Sequence, residues 1–159
     1  MNLLTFDNPV FRWYAAAAAI MIVKMMSQAW ITVFRMIKVD GGLRYPEDVQ
    51  KGPANPNPRP DQLMPNEYVE RSRRMNQNDT ENVPLFLAAG LIYVCTAPGI
   101  VTAACLFSAY VLSRLAHFYV LLSARSHELR ATFWTVGSVI IYFMAGAVLW
   151  RVFQSFGPV

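Results

Sequence analysis

Charge is missing from long stretches of this 159-residue chain: residues 13–34 hold only Lys24, 101–123 only Arg114 and 132–153 only Arg151. A helix at the surface of a soluble protein keeps a polar stripe. The runs 15–34 and 132–150 have almost none, which argues against a soluble four-helix bundle. Cysteine is scarce as well. Cys95 and Cys105 both fall in apolar runs and read as small hydrophobes, not as a disulfide or a metal pair; no metal site is expected. A basic face is lacking too. The formal net charge of +4 comes from cations scattered among apolar segments, so nucleic acid is not an expected partner. No cleavable leader is expected, because the first apolar run is too long for a signal peptide and no small-residue cleavage site follows it. Without an inverted repeat or a pair of broken helices, the sequence also gives little support to a transporter.

What the chain does have is apolar length. Crossing ~30 Å of hydrocarbon takes about 20 helical residues. The three runs above reach that length, and a fourth, 83–97, reaches it if the polar turns before it belong to the same helix. The expectation is an all-α fold: an integral-membrane antiparallel four-helix bundle, one domain over 1–159, with spans near 9–36, 67–97, 100–123 and 130–154. Trp13 and Tyr14 are placed as aromatic interface anchors, and Ala15 to Ala19 are small enough for a neighbouring helix to approach. Lys24, near the middle of the first span, can snorkel, bond a carbonyl inside the bundle or take part in catalysis; a structural role is favoured. The loop 39–65 contains Gly41, Gly42, Gly52 and five prolines from Pro46 to Pro65 besides Pro53. It reads as irregular and solvated, a candidate lid, since proline interrupts a helix. Loop one carries Arg44, Lys51 and Arg59, with Arg35 and Lys38 just before it; loop three adds Arg125 and Arg130. The positive-inside rule puts these two loops in the cytoplasm and both termini opposite. The membrane is then the endoplasmic reticulum in a eukaryote or the inner membrane in a bacterium.

The second span begins with the polar stretch Glu70-Arg71-Ser72-Arg73-Arg74-Met75-Asn76-Gln77-Asn78-Asp79-Thr80-Glu81-Asn82 and continues as Val83-Pro84-Leu85-Phe86-Leu87. Ionisable groups in a membrane helix are costly and are functional candidates. At 100° per residue, Arg71, Arg74, Asn78 and Glu81 fall within an arc of about 80°. Arg114 and His117 share a face of the third span, and Arg130 opens the fourth. Guanidinium groups grip carboxylates and stay charged at any relevant pH, so these residues suit a small ligand with carboxylates, and Glu81 suits its ammonium. Snorkelling to lipid phosphates is the competing use of each arginine.

Val69-Glu70-Arg71-Ser72-Arg73-Arg74, then Asn78-Asp79-Thr80-Glu81-Asn82 and Gly90-Leu91-Ile92-Tyr93, resembles the signature of the MAPEG superfamily, the membrane-associated proteins in eicosanoid and glutathione metabolism. The branch it is most similar to holds the type-one microsomal glutathione transferases and prostaglandin E synthase. Lys24-Met25-Met26, Tyr45-Pro46-Glu47-Asp48, Arg114-Leu115-Ala116-His117 and Leu129-Arg130-Ala131 extend the match in order. The resemblance implies a homotrimer of four-helix subunits in membrane lipid, with glutathione as cofactor at each subunit interface. It implies glutathione contacts at Arg74, Asn78, Glu81, His117 and Arg130, a role for Asp48, and a cation from the end of the first span, Arg35 or Lys38; Arg71, from the same helical arc, and Trp134, at a position near the ligand in the synthase, are expected to join them. Arg130 is the implied catalytic residue. Gln77, Leu121, Trp134 and Ala131 depart from the synthase, which has an arginine, two tyrosines and a serine there; these departures favour a transferase.

The expected function is therefore conjugation of glutathione to lipophilic electrophiles, with reduction of lipid hydroperoxides as a related activity. The alternatives are a glutathione-dependent isomerase like prostaglandin E synthase, or a non-catalytic lipid-binding scaffold.

Overall fold

The computed structural model describes residues 3–157. Four helices make the fold: α1 Pro9–Val39, α2 Glu67–Val94, α3 Ile100–Leu122 and α4 His127–Ser155. Strands are absent among the described residues. Local chemistry sets the ends. Asn8 caps α1 by accepting the Val10 N–H at 3.0 Å, with Pro9 at the first helical position, where its missing donor costs nothing. At the other end Asp40 takes a left-handed conformation, φ 48°, and its N–H returns to the Ile37 carbonyl. Asn66 and Ser126 cap α2 and α4. The Ser126 cap starts α4 at His127, three residues before the expected 130, and Ala97, at φ 52°, lies in the turn that follows α2.

α2 and α3 each contact both other helices and one another, whereas α1 and α4 do not touch among the described residues. The core between them is aromatic. Phe86 and Tyr110 stack at 3.8 Å between centroids, and Phe107 meets Phe86, Tyr14 and Tyr93 edge-on. Tyr14 lies in this core, not at a membrane interface. It is 8% exposed, and its hydroxyl donates to the Leu87 carbonyl at 2.8 Å. Gly90 makes that possible, because a Cβ there would sit 2.9 Å from the Tyr14 ring. α2 continues through Pro84.

α1, α3 and α4 are each long and apolar enough to cross a membrane. Their outward faces carry exposed apolar side chains such as Val23, Trp30, Leu112, Tyr142 and Leu149, the surface lipid covers in an integral membrane protein. Cys95 and Cys105 are free thiols on exposed positions. α2 differs. Its apolar half begins at Val83, and its polar half lies between α1 and α3 at the end of the bundle that holds the long loop.

That loop is more ordered than its prolines imply. It contains two short 3₁₀ turns, Pro46–Val49 and Pro60–Leu63. Gln62, 2% exposed, ties it down. Its amide donates to Asp40 at 2.9 Å, and its oxygen accepts from Asn55 at 2.7 Å and from the Arg59 N–H at 3.1 Å. Arg59 also pairs with Asp40 at 2.8 Å.

Candidate functional site

The polar half of α2 points in three directions, because each successive residue turns 100°. Asp79 points inward. One carboxylate oxygen accepts from Arg114, Nε at 2.9 Å and Nη2 closer; the other accepts from Lys24 and Gln28 of α1. Lys24, Gln28, Asp79 and Arg114 are all less than 9% exposed. In a membrane protein such polar contacts hold helices together where apolar attraction between helices is weak. Here they join α1, α2 and α3. Lys24 is thus a structural residue, and it also lies 5.3 Å from the centre of the Phe118 ring. Asp79 and Gln28 escaped sequence reading. Asp79 falls outside the arc of Arg71, Arg74, Asn78 and Glu81, and the only signal for it was the need of two buried cations for a counter-charge.

Arg74 and Asn78 face a groove between α2, α3 and α4. His117, Arg130 and Trp134 line the same groove, whose volume is about 450 Å³. Five of the residues proposed from sequence therefore share one space. His117 is 5% exposed. Arg130 lines the groove wall, and among the described residues its buried Nε has no hydrogen-bond partner. Leu121 and Ala131 complete the wall, and so does His127, which no motif singled out. Its signal was spacing: His127, Arg130, Ala131 and Trp134 recur at i, i+3, i+4 and i+7 on one face of α4.

Glu81 faces elsewhere. It lines a second groove, about 700 Å³, between α1, α2 and the loop, together with Asp48, Arg73 and Gln77. Gln77 donates to Glu81 at 3.2 Å. Arg74 lines both grooves and is the ridge between them. The 80° arc thus does not deliver one shared face within a single chain: the groove that α2 forms with α3 and α4 includes Asn78 and leaves Glu81 on the other side.

Three further candidates lie outside both grooves. Arg35, 7% exposed, donates to the Tyr68 carbonyl at 2.7 Å and stacks over the Tyr68 ring, 4.1 Å from its centre. Lys38 is exposed and its Nζ lies 5.7 Å from the centre of the same ring. Both are held by the start of α2, which packs on the end of α1. Arg71 donates to Glu67 at 3.1 Å and to the Leu121 carbonyl at 3.4 Å, bridging α2 to the end of α3. Glu67 also accepts from Arg74 at 2.5 Å, so a side-chain carboxylate of the chain itself occupies the arginine that serves both grooves.

Residues 14–150 match the MAPEG family. Microsomal glutathione S-transferase 1 of Homo sapiens is 32% identical over 145 residues, covering 90% of this chain and 91% of the relative. The Mus musculus protein of that name is 31% identical over 143 residues, with coverage of 90% and 91%. The Sus scrofa protein is 36% identical over 112 residues, 69% of this chain and 70% of the relative. With its four-helix architecture, its membrane-length apolar helices and a family match over most of its length, the chain belongs to the MAPEG family.

Proposed function

We propose that this protein is a membrane-bound glutathione transferase that conjugates glutathione to lipophilic electrophiles. The observation that carries the reading is Arg130, whose guanidinium is not fully partnered among the described residues, in a groove shared with Arg74, Asn78 and His117. Donors on Arg130 and Asn78 without protein partners among the described residues, beside an arginine whose pairing is exposed, call for an anionic ligand rich in acceptors, and glutathione carries two carboxylates and two amides. The names of the relatives support the same choice.

Bound in this groove, glutathione supplies the nucleophilic thiolate. The chain's part is to favour that charge. A free thiol of this kind ionises near pH 8.5, and a fixed guanidinium beside sulfur lowers that value by Coulomb attraction, more strongly in a partly dry site. Arg130 takes this role. Arg74, Asn78 and His117 hold the carboxylates and amides of the tripeptide. Trp134 and Leu121 form an apolar side of the groove, along which a lipophilic electrophile or lipid hydroperoxide arrives from the bilayer.

Glu81 and Asp48, in the second groove, complete the site from a neighbouring copy of a homotrimer, where Glu81 receives the ammonium. Arg74, on the ridge, then contacts both halves. In this assembly loops one and three face the cytoplasm, from the endoplasmic reticulum or a bacterial inner membrane.

The test is conjugation of a chlorinated nitroaromatic by Arg130→Ala in folded protein. The expected loss is about 100-fold in kcat/KM, since each pKa unit of thiol stabilisation is worth ~1.4 kcal/mol and such electrostatic groups contribute about 2.7–4 kcal/mol. Wild-type rates would remove Arg130 from the mechanism.

A further inference from the structure

We propose that Arg114 is a positioning residue for ligand recognition: from inside the bundle it fixes the amide of Asn78 so that only N–H donors face the groove, which makes the group received there an oxygen acceptor. The proposal rests on the glutathione reading, and the acceptor is then a carboxylate or amide carbonyl of the tripeptide.

The geometry begins with Arg114, which is 1% exposed. Asp79 fixes its guanidinium through Nε and Nη2, and Nη2 also donates to Asn78 Oδ1 at 2.5 Å. A guanidinium only donates. The oxygen of the Asn78 amide must therefore turn inward to Arg114, which leaves Nδ2 on the other edge. Among the described residues Nδ2 has no partner, while the backbone carbonyl of Asn78 accepts from Asn82 at 2.7 Å. Asn78 itself lines the groove with Arg74 and Arg130.

An unrestrained asparagine can present either edge to a ligand, and so accept as well as donate. Arg114 removes that choice. Since Arg74 and Arg130 also only donate, these three side chains make a wall selective for oxygen acceptors, and a ligand's ammonium finds no partner on them. The wall is backed by charge, because two cations, Lys24 and Arg114, surround the one anion Asp79. Gly137 of α4 packs against the same place: a Cβ there would lie at ordinary contact, 3.6 Å, from Arg114 Cδ and more tightly, 3.3 Å, from Ser113 Oγ.

The test is a double-mutant cycle on the full chain in detergent, read as equilibrium binding of glutathione and as steady-state kinetics. Asn78→Ala and Arg114→Lys should each weaken binding about tenfold, the size expected for one lost hydrogen bond to a charged group. The double variant should be no weaker than the worse single, because Arg114 acts on the ligand through Asn78. Arg114→Lys should raise KM for glutathione and leave kcat unchanged. Wild-type binding by Arg114→Lys, or losses that multiply towards about 100-fold, would overturn the proposal. Should Arg114→Lys not fold, Asn78→Asp decides: it keeps a partner for Arg114 and replaces the donor edge with an acceptor. Its expected result is at least about tenfold weaker binding at an unchanged melting point, and wild-type affinity overturns the proposal. Absence of glutathione binding by the wild-type chain at millimolar concentration would overturn this proposal and the transferase reading together. The variant results, by contrast, bear on Arg114 and Asn78 and leave the transferase reading standing.

Discussion

Asp79 and Arg74 lie on the same helix within the same polar stretch, yet their surroundings differ in kind. Asp79 is closed on every side: both of its oxygens are taken, and it is 1% exposed. Arg74 is exposed, pairs only with Glu67 and borders two open grooves. The first arrangement satisfies charges within the chain and fixes the bundle. The second leaves cations able to exchange one carboxylate for another. In a membrane both are costly to maintain, but only the open one has a use for a ligand. Asn78 joins the two regions, one edge towards Arg114 and the other towards the groove.

Breaking the closed region should have the largest effect. Asp79→Ala would leave Lys24 and Arg114 buried without a counter-charge, an expected cost of about 3–5 kcal/mol. Thermal unfolding in detergent should show a strongly lowered midpoint or little folded protein. A wild-type midpoint would mean that the cluster does not hold the helices. The open region should respond the other way round. Arg74→Ala should weaken glutathione binding about tenfold or more, as expected for a charge-assisted hydrogen bond of about 1.5–3 kcal/mol. Its melting temperature should hardly move, because the Arg74–Glu67 pair is exposed and such pairs contribute about 0–1 kcal/mol. Equal losses of stability and binding in both variants would erase the distinction between the regions.

The smallest effect lies outside both. Hydrogen bonds from Arg59 and Gln62 hold the Asp40 carboxyl below the usual carboxylate range. A group with a lowered folded pKa adds stability above its unfolded value, near pH 3.9, and that stability is lost as pH falls through the lower folded value. Acidification below about pH 4 should therefore loosen the loop around Gln62, seen as faster proteolysis between residues 41 and 65. Asp40→Asn should flatten this acid dependence and leave glutathione binding as it was.

Much of the architecture was legible because hydrocarbon imposes a length and a composition on a helix. The charge-free runs correspond to α1, α3 and α4, and the polar-then-apolar order of residues 67–94 is carried by α2. The helix ends were less legible, since they depend on single caps: Ser126 starts α4 early, and the left-handed Asp40 ends α1 after Val39. The loop misled for a related reason. Proline excludes a long helix, but it permits 3₁₀ turns, and the role of Gln62 as their anchor depends on partners as far away as Asp40. At the candidate site, Arg74, Asn78, His117, Arg130 and Trp134 were found from motif and spacing. Helical angle alone did not show that Glu81 would line a different groove, because an arc of about 80° is wide enough to be divided by a neighbouring helix. It also gave no warning that Tyr68 would engage Arg35 or that Glu67 would hold Arg71.

By itself the sequence determined that this chain lives among apolar surroundings, that the helices of its described residues number four, and that its polar side chains crowd the first half of the second. Those properties follow from the cost of exposing charge and backbone to lipid, a cost each segment bears alone. Only the tertiary structure decided which polar groups are closed and which stay open. That depends on where a neighbouring helix stands: α1 and α3 surround Asp79 and neutralise it, α4 stands apart from α1, and the groove beside α2 keeps the buried Nε of Arg130 without a partner.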